Sequence, residues 1–336
     1  MDSRDLSADG ALGVPHLRRL WRRYGVGGAQ ELNPADWARD QAVIYALGLG
    51  LRETLDFLHS ASPSFAGFEC WIVAQSGGAI EPSWVDRANR AVARIGDDQA
   101  ALASGFSNAF TPVFDENDLR RWDEQGYLVL RDAVSPDDCA AAARGLWNYL
   151  EMDPKAPEGW YGGGRSDGIF VPLVHDPAFD RNRRSLRIRN AFAQLWGTDD
   201  LLGAVDCGGF NPPERPGWSF SGPGLHWDTS LVPPLPLDIG GVLYLTDTPA
   251  EQGAFHCVPG FHRRVEAWLA GLPPDADPRR QDLSAGAVRV PGRAGDMVLW
   301  HTALPHAASA NRGKRPRLVQ YIAYRPLGWV DARPWR

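Results

Sequence analysis

Lysine is nearly absent from this 336-residue chain, although arginine is frequent, and the formal net charge is −6. Because the charge balance is acidic, the sequence carries no broad basic surface of the kind that binds nucleic acid, and we expect no nucleic-acid partner. There is also no run of about twenty apolar residues, so we expect no membrane-spanning helix. Residues 1–5 show no secretory signal pattern, which together with these absences predicts a cytoplasmic protein with no membrane partner.

Cysteine is scarce as well. The four cysteines are Cys70, Cys139, Cys207 and Cys257, and no two of them have the close spacing of a disulfide framework or a zinc site. They are therefore interpreted as reduced thiols, as expected in the cytosol. Hydrophobic residues make up 44% of the chain, which is ample for a packed core, and the length favours about two domains.

The candidate for chemistry is His226-Trp227-Asp228. In an extended segment the histidine and the aspartate point to one face and Trp227 to the other, which offers two metal ligands on one side. His306, further along the chain, is the best candidate for a third ligand. Two histidines and one carboxylate form the facial triad of non-haem Fe(II) oxygenases, which leaves coordination positions open for chemistry. A lone His-x-Asp occurs by chance in many chains, so the interpretation depends on the motifs C-terminal to it.

Further features come after Asp228 in a fixed order: a strand-like run at 240–247, a Pro-Gly-x-His turn at 259–262, Gly295-Asp296, His306 and Arg317. This series resembles the phytanoyl-CoA dioxygenase family of Fe(II)- and 2-oxoglutarate-dependent oxygenases. The resemblance spans roughly residues 113–336, and several ordered motifs together are more specific than any one of them.

The resemblance implies roles for particular residues. His226, Asp228 and His306 would hold Fe(II), and Arg317 would bind the far carboxylate of the co-substrate 2-oxoglutarate, with O₂ as the second co-substrate. Many members carry serine two residues after the distal histidine, whereas this chain has Ala308. Part of the usual 2-oxoglutarate contact must therefore come from another residue.

A geometric argument also favours Arg317. The turn residues at 311–313 predict a hairpin that would place Arg317 opposite His306, about 5 Å away at Cβ. Arg315 would have the same facing and is the alternative, but it lies nearer the turn and precedes Pro316. Asn211 is a further candidate contact for 2-oxoglutarate, and it is equally consistent with a turn residue.

Three other histidines compete for the metal: His256, His262 and His301. His262 lies in the Pro-Gly-x-His turn, which is structural in the family. His301 lies at a strand end, five residues before His306. We rank all three below His306.

The chain before residue 105 is predicted to be helical, with helices expected at about 15–24, 33–59, 65–73 and 81–95. Gly48 and Gly50 should weaken or bend the second of these. Residues 1–105 are therefore predicted to be an N-terminal helical region and 106–336 the catalytic domain. The helical region holds no catalytic constellation, and its apolar helix faces suggest packing or a homodimer formed through these helices.

From residue 201 onwards, short strands alternate with Gly/Pro turns, which is typical of a double-stranded β-helix, or jelly roll. The predicted fold class is α+β, with this core and flanking helices. The glycine run before Arg165, at 162–164, has no phosphate-binding context, and a mobile lid over the site is the better interpretation.

The predicted function is an oxygenase that hydroxylates a small metabolite or natural-product intermediate and releases succinate and CO₂. No basic cluster stands out for the phosphates of an acyl-CoA. Asp228 fills the position that related halogenases leave open for chloride, so halogenation is not expected, whereas desaturation and ring closure remain alternatives. The alternative function is a metal-binding jelly roll that is not an oxygenase, either a hydrolase or a binding module.

Overall fold

The computed structural model describes residues 10–26, 33–95, 110–162, 164–220 and 222–336. The described residues form two compact units. The first lies within residues 1–109, 197–205 and 324–333, and the second lies within 110–196, 206–323 and 334–336. The predicted domain boundary at residue 105 lies outside the described residues.

The first unit is mostly helical. Its elements are α1 (His16–Trp21), a π-helical turn (Arg22–Val26), α2 (Pro34–Ala46), α3 (Leu51–Ala61), α4 (Phe65–Gln75), α5 (Pro82–Arg94), and the two-stranded sheet of β3 (Leu201–Gly203) and β11 (Tyr324–Pro326). Asn33 caps α2 through a bond from the Asp36 amide, as expected for Asn before Pro.

The helix expected at 33–59 is divided in two, which corrects the sequence prediction. It is broken between α2 and α3, where Gly48 has φ +71°, a left-handed conformation that ends a helix. The break lets both helices bury apolar side chains in one core, which includes Leu17, Val43, Leu47, Leu58, Phe68 and Leu202. Among the described residues of this unit, no large apolar side chain is exposed.

The second unit contains the remaining elements. Its helices are α6 (Glu116–Gln125), α7 (Pro136–Leu150), α8 (Pro177–Arg183), α9 (Leu186–Trp196) and α10 (Val265–Ala270), with short 3₁₀ turns at Pro157–Tyr161, Phe261–Arg263, Pro278–Arg280 and Ser284–Gly286. Its strands are β1 (Tyr127–Leu130), β2 (Phe170–Val171), β4 (Gly208–Asn211), β5 (Ile239–Tyr244), β6 (Phe255–Cys257), β7 (Val288–Val290), β8 (Met297–His301), β9 (His306–Ala308) and β10 (Arg317–Tyr321).

Two antiparallel sheets form the double-stranded β-helix of this α+β unit. The larger has the order β1-β8-β5-β10-β4-β2, and the smaller has the order β7-β6-β9. A core cluster that includes Tyr244, Phe255, Trp300 and Val319 draws its side chains from both sheets. None of the described helices is long and apolar enough to cross a membrane.

The C-terminal strands differ from the prediction in two ways. The sequence favours one last strand from Arg315 to Arg325, whereas the structure has two strands in this segment, β10 and β11. The hairpin expected around 311–313 is also wrong, because β9 pairs with β6 whereas β10 pairs with β4 and β5. Turn residues indicate where the chain reverses direction, but they do not determine which sheet the next strand joins.

The proposed lid at 162–165 is only partly described, because Gly163 lies outside the described residues. Arg165 is held against α7, where it donates to the Glu151 carboxylate at 2.6 Å and to the Tyr149 carbonyl at 3.0 Å.

Candidate metal centre and co-substrate pocket

Three residues from separate parts of the second unit meet in one group. His226, Asp228 and His306 each offer a ligating atom, and these atoms lie within 4.8 Å of one another. The carboxylate of Asp228 lies 3.4 Å from His226 Nε2 and 3.2 Å from His306 Nε2. Within the described ranges this is the one cluster of histidine, cysteine and acidic side chains with such spacing.

The backbone brings these residues together through a single bridge. The His226 amide donates to the His306 carbonyl at 3.1 Å, and the His306 amide donates back at 3.0 Å. This pair is an isolated bridge, so the extended segment expected at His226–Asp228 is not part of a longer strand. The expected alternation is nonetheless present, because Trp227 is buried and donates through Nε1 to the Ala303 carbonyl.

Both histidines are oriented by their other ring nitrogen. Nδ1 of His226 lies 2.8 Å from the Gly224 carbonyl, and Nδ1 of His306 lies 3.0 Å from the Leu304 carbonyl. A carbonyl only accepts, so Nδ1 carries a proton, and Nε2, which faces Asp228, is the nitrogen available to a metal ion. This is the tautomer that metal-ligating histidines use.

The electrostatics of the group depend on the shared carboxylate. Burial alone would lower the pKa of His226, but the bonds to Asp228 and to the Gly224 carbonyl outweigh it and raise this pKa above its usual value. Burial would raise the pKa of Asp228, but its bonds to the two histidines hold that pKa well below the usual range. Asp228 is therefore ionised at neutral pH.

The donor set fits Fe(II). It provides two imidazole nitrogens and one carboxylate oxygen, and the Asp228 side chain is 60% exposed whereas that of His306 is 5% exposed. One side of the group is thus open to solvent and can admit further ligands.

The competing histidines lie in other surroundings. His262 Nε2 contacts the Asp123 carbonyl, and its ring lies 5.3 Å from that of His301. His301 Nδ1 accepts from the Ala303 amide, and burial lowers the pKa of His301 to about 4. The pKa of His256 is likewise lowered to about 4 by burial and the nearby Arg289. None of the three belongs to the triad cluster.

Arg317 does not face His306 across a hairpin. Its neighbour is Asn211, because the two are register partners in the β10–β4 pair. Partners in an antiparallel pair point to the same side of the sheet, so these two candidate residues share a face. Arg317 is 3% exposed, whereas Arg315 is exposed. Burial therefore favours Arg317 although the hairpin argument for it is wrong.

A small polar pocket surrounds Arg317. Its Nη1 donates to the Gly253 carbonyl at 2.7 Å, and Asn211 Nδ2 donates to the Ser309 carbonyl at 3.0 Å. Gly253 has φ +71°, and a Cβ there would lie 2.5 Å from the Asn211 amide, so only glycine fits. Three buried polar atoms of this pocket lack a protein partner: Arg317 Nε, Asn211 Oδ1 and the Ser309 hydroxyl. Of these, Arg317 Nε and the Ser309 hydroxyl are donors suited to a bound carboxylate, whereas Asn211 Oδ1 is an acceptor.

Two residues of this pocket, Ser309 and Tyr321, were not identified from the sequence. Ser309 directly follows Ala308, where the family serine was expected. Tyr321 lies on the same face of β10 as Arg317, since residues two and four apart along a strand point the same way. Burial chiefly raises the pKa of Tyr321 to about 12, while Arg317 acts against this rise. The alternation along 317–321 was a signal that could have identified Tyr321.

Comparisons with known proteins agree in pointing to one family. The phytanoyl-CoA dioxygenase (PhyH) family model matches residues 122–319. A putative phytanoyl-CoA dioxygenase of Dictyostelium discoideum is 21% identical over 269 residues, covering 64% of this chain and 77% of the relative. Ava biosynthesis cluster protein O of Aspergillus versicolor is 23% identical over 252 residues, covering 65% and 80%.

Solved structures give a weaker likeness. The non-heme alpha ketoglutarate dependent epimerase SnoN from nogalamycin biosynthesis is 20% identical, with a TM-score of 0.47, covering 63% of this chain and 82% of that one.

Proposed function

The chain belongs to the phytanoyl-CoA dioxygenase family, and from this premise we propose that it is an Fe(II)- and 2-oxoglutarate-dependent oxygenase acting on a small molecule. The observation that carries the proposal is the triad of His226, Asp228 and His306. Both imidazoles bond through Nδ1 to a carbonyl and turn Nε2 towards an ionised carboxylate, an arrangement suited to a divalent cation.

We assign the three residues to the iron in distinct ways. His226 and His306 supply neutral nitrogen ligands that their carbonyl contacts hold in place. Asp228 supplies the negative charge, which favours a divalent ion over a neutral ligand. The exposed side of Asp228 is where co-substrate and O₂ would approach.

We assign Arg317 to the far carboxylate of 2-oxoglutarate. Its bond to the Gly253 carbonyl fixes the guanidinium plane, and its free Nε can donate to a carboxylate oxygen. Asn211 holds the neighbouring Ser309 carbonyl, and the Ser309 hydroxyl and Tyr321 are candidates for the contact that Ala308 cannot make.

When bound, Fe(II), 2-oxoglutarate and O₂ would supply the oxidising chemistry. One oxygen atom of O₂ would enter succinate as CO₂ is lost, and the other would enter the substrate where its C–H bond is broken. The residues of the chain bind, orient and shield these groups. Trp300 and Phe255, whose rings lie 4.9 Å and 5.8 Å from that of His306, form an apolar wall behind the ligand and exclude water there. Hydroxylation is the expected outcome.

We propose a small metabolite or natural-product intermediate as substrate. The relative named for the Ava biosynthesis cluster supports this class. A cytoplasmic location is likewise proposed, supported by the four free cysteines, Cys70, Cys139, Cys207 and Cys257.

The division into a helical region at 1–105 and a catalytic domain at 106–336 remains a proposal, as does a homodimer through the N-terminal helices. The described helices of the first unit bury their large apolar side chains in a core of their own, so a dimer would have to use polar or partly exposed surface. Analytical sedimentation of the purified protein measures its oligomeric state and so tests the proposed homodimer directly.

The test of function is succinate formation from 2-oxoglutarate with Fe(II) across a panel of small metabolites. We expect turnover that at least one panel compound stimulates and that the Asp228→Ala variant lacks. His301→Ala, which removes a histidine outside the triad, is the matched control and should retain turnover. Metal binding without any succinate would favour the hydrolase or binding-module alternative.

A further inference from the structure

The loop that carries Asp228 is held from behind by one arginine, Arg279. This residue lies on the 3₁₀ turn Pro278–Arg280. Its Nη1 donates to the Trp227 carbonyl at 2.9 Å, and its Nη2 donates to the Thr229 carbonyl at 2.8 Å. These two carbonyls belong to the residues on either side of Asp228, so the guanidinium fixes the peptide units that set the direction of this side chain.

The same guanidinium also binds the segment 334–336. Nη2 and Nε of Arg279 donate to the main-chain oxygen of Arg336 at 2.7 Å and 3.2 Å, and the guanidinium lies 4.4 Å above the ring of Trp335. The cation over the indole face adds attraction to these bonds. Arg279 thus joins the ligand loop to this segment with four hydrogen bonds and one ring contact.

The segment is tied to the ligand loop at two more points. The Leu231 amide donates to the Arg336 oxygen at 3.2 Å, and the Ser230 hydroxyl donates to the Pro334 carbonyl at 2.6 Å. The segment therefore lies along residues 229–231, directly after Asp228.

The three ligands differ in how their backbone is held. His226 and His306 hold each other through paired amide and carbonyl bonds. Asp228 lies beyond that bridge, in a bend without strand pairing, and its neighbours are held by a side chain instead. A metal ligand must be placed to within about half an ångström, and Arg279 bonds to the carbonyls on both sides of Asp228.

We propose that Arg279 is a positioning residue for Asp228, and that Trp335 and Arg336 complete the clamp that holds it. The inference rests on the proposed function, because it assumes that Asp228 binds the metal. Lysine cannot replace the arginine fully, since a planar fork reaches several carbonyl oxygens at fixed angles whereas an ammonium group acts as a point charge.

The test is an anaerobic titration of the full-length metal-free protein with Co(II), followed by visible absorption. Arg279→Ala should weaken Co(II) binding about ten- to a hundredfold, the range typical for groups that orient metal ligands. Arg279→Lys should give a smaller loss, and Trp335→Ala a loss of several-fold. If Arg279 and Trp335 act through the same clamp, the double variant Arg279→Ala/Trp335→Ala should bind Co(II) only slightly more weakly than Arg279→Ala alone.

Arg280→Ala is the matched control. Arg280 lies on the same turn, its side chain is 86% exposed, and it pairs with Asp277, so its removal deletes an equal charge without touching the loop. Co(II) affinity should stay within twofold. The thermal midpoint of each metal-free protein is measured in parallel.

Several outcomes would overturn the proposal. One is Co(II) affinity in Arg279→Ala equal to that of Arg280→Ala, with a lowered thermal midpoint alone, because Arg279 would then be structural only. If Arg279→Ala does not fold, unchanged Co(II) affinity in both Arg279→Lys and Trp335→Ala would also overturn the proposal. Failure of the wild-type protein to bind Co(II) would overturn the proposed function as well.

Discussion

Each of the two units contains histidine paired with aspartate, but the two groups differ in burial and in what they can bind. In the first unit His16 Nε2 lies 2.7 Å from the carboxylate of Asp40, which also accepts from Arg23 and from the Tyr24 hydroxyl. In the second unit Asp228 lies between two histidines. Asp40 is fully buried and Asp228 is 60% exposed. The residue pair alone therefore does not indicate a metal site.

The decisive difference is the source of positive charge. Arg23 already neutralises Asp40, so a divalent cation would gain little there, and the closed network serves to hold helices together. The partners of Asp228 are imidazoles whose Nε2 atoms can lose a proton and bind a cation, so the site can exchange protons for an added metal ion. Four predictions test this contrast, from the largest expected effect to the smallest.

The largest effect is expected from Asp228→Ala, which should abolish turnover. Each ligand of a tight metal site contributes on the order of 3 kcal/mol, or about a hundredfold in affinity. Iron affinity should fall at least that far in a titration of the metal-free protein. Since the side chain is largely exposed, the thermal midpoint without metal should change little. Undiminished metal binding in this variant would place the site elsewhere.

Asp40→Ala should show the reverse pattern, with a loss of stability and no loss of iron affinity. It leaves Arg23 with Asp36 as its one remaining carboxylate and leaves His16 and the Tyr24 hydroxyl without their shared acceptor. The cost should be about 3 kcal/mol, the lower end of the range for a broken buried pair. Chemical denaturation should show this loss of stability, whereas iron affinity of the folded protein should stay at the wild-type value. A variant as stable as wild type would show that the buried network contributes nothing to folding.

Arg317→Ala should weaken 2-oxoglutarate binding. Loss of a charge-assisted pair in a buried site costs about 2–5 kcal/mol, roughly thirty-fold to several-thousand-fold in affinity. Calorimetric titration into the metal-loaded protein measures it, and Arg317→Lys should lose less. Arg315→Ala is the control, because Arg315 is exposed. A large loss in the control with none in Arg317→Ala would reverse the assignment.

The smallest effect concerns His301. Burial chiefly lowers its pKa to about 4 from an ordinary 6.5, so the unfolded chain binds the proton more readily. The stability that neutral His301 contributes is therefore present above pH 6.5 and is lost as the pH falls towards 4. His301→Gln should flatten the fall in stability across this window and leave iron affinity unchanged. Loss of the metal in this variant would reassign the third ligand.

Local features of the chain were predictable because they depend on neighbours in sequence. Asp115 and Gly126 have the residue types that begin and end a helix, and the apolar run Tyr127–Leu130 after them favours a strand; the structure has both elements there. The triad was likewise predictable, because the spacing of His226 and Asp228 and the order of later motifs are visible in the sequence. These signals need no knowledge of which strands pair.

Long-range pairing was not predictable. Arg317 and Asn211 were each candidates for contact with 2-oxoglutarate, but their pairing across β10 and β4 was not predicted. The hairpin used to place Arg317 does not form. The contacts of Arg279 with residues 334–336 join segments 57 positions apart, and no motif marks them. The Asp40 network has no sequence signature either, since its histidine lies 24 positions away.

The central claim is that His226, Asp228 and His306 hold an iron to which 2-oxoglutarate binds. The most direct measurement is visible absorption during anaerobic addition of Fe(II) and then 2-oxoglutarate to the metal-free protein. We predict a charge-transfer band that requires both additions, saturates at one iron per chain, is lost in Asp228→Ala, and needs far more 2-oxoglutarate in Arg317→Ala. Absence of the band in the wild-type protein, or a band of full strength in Asp228→Ala, would contradict the claim.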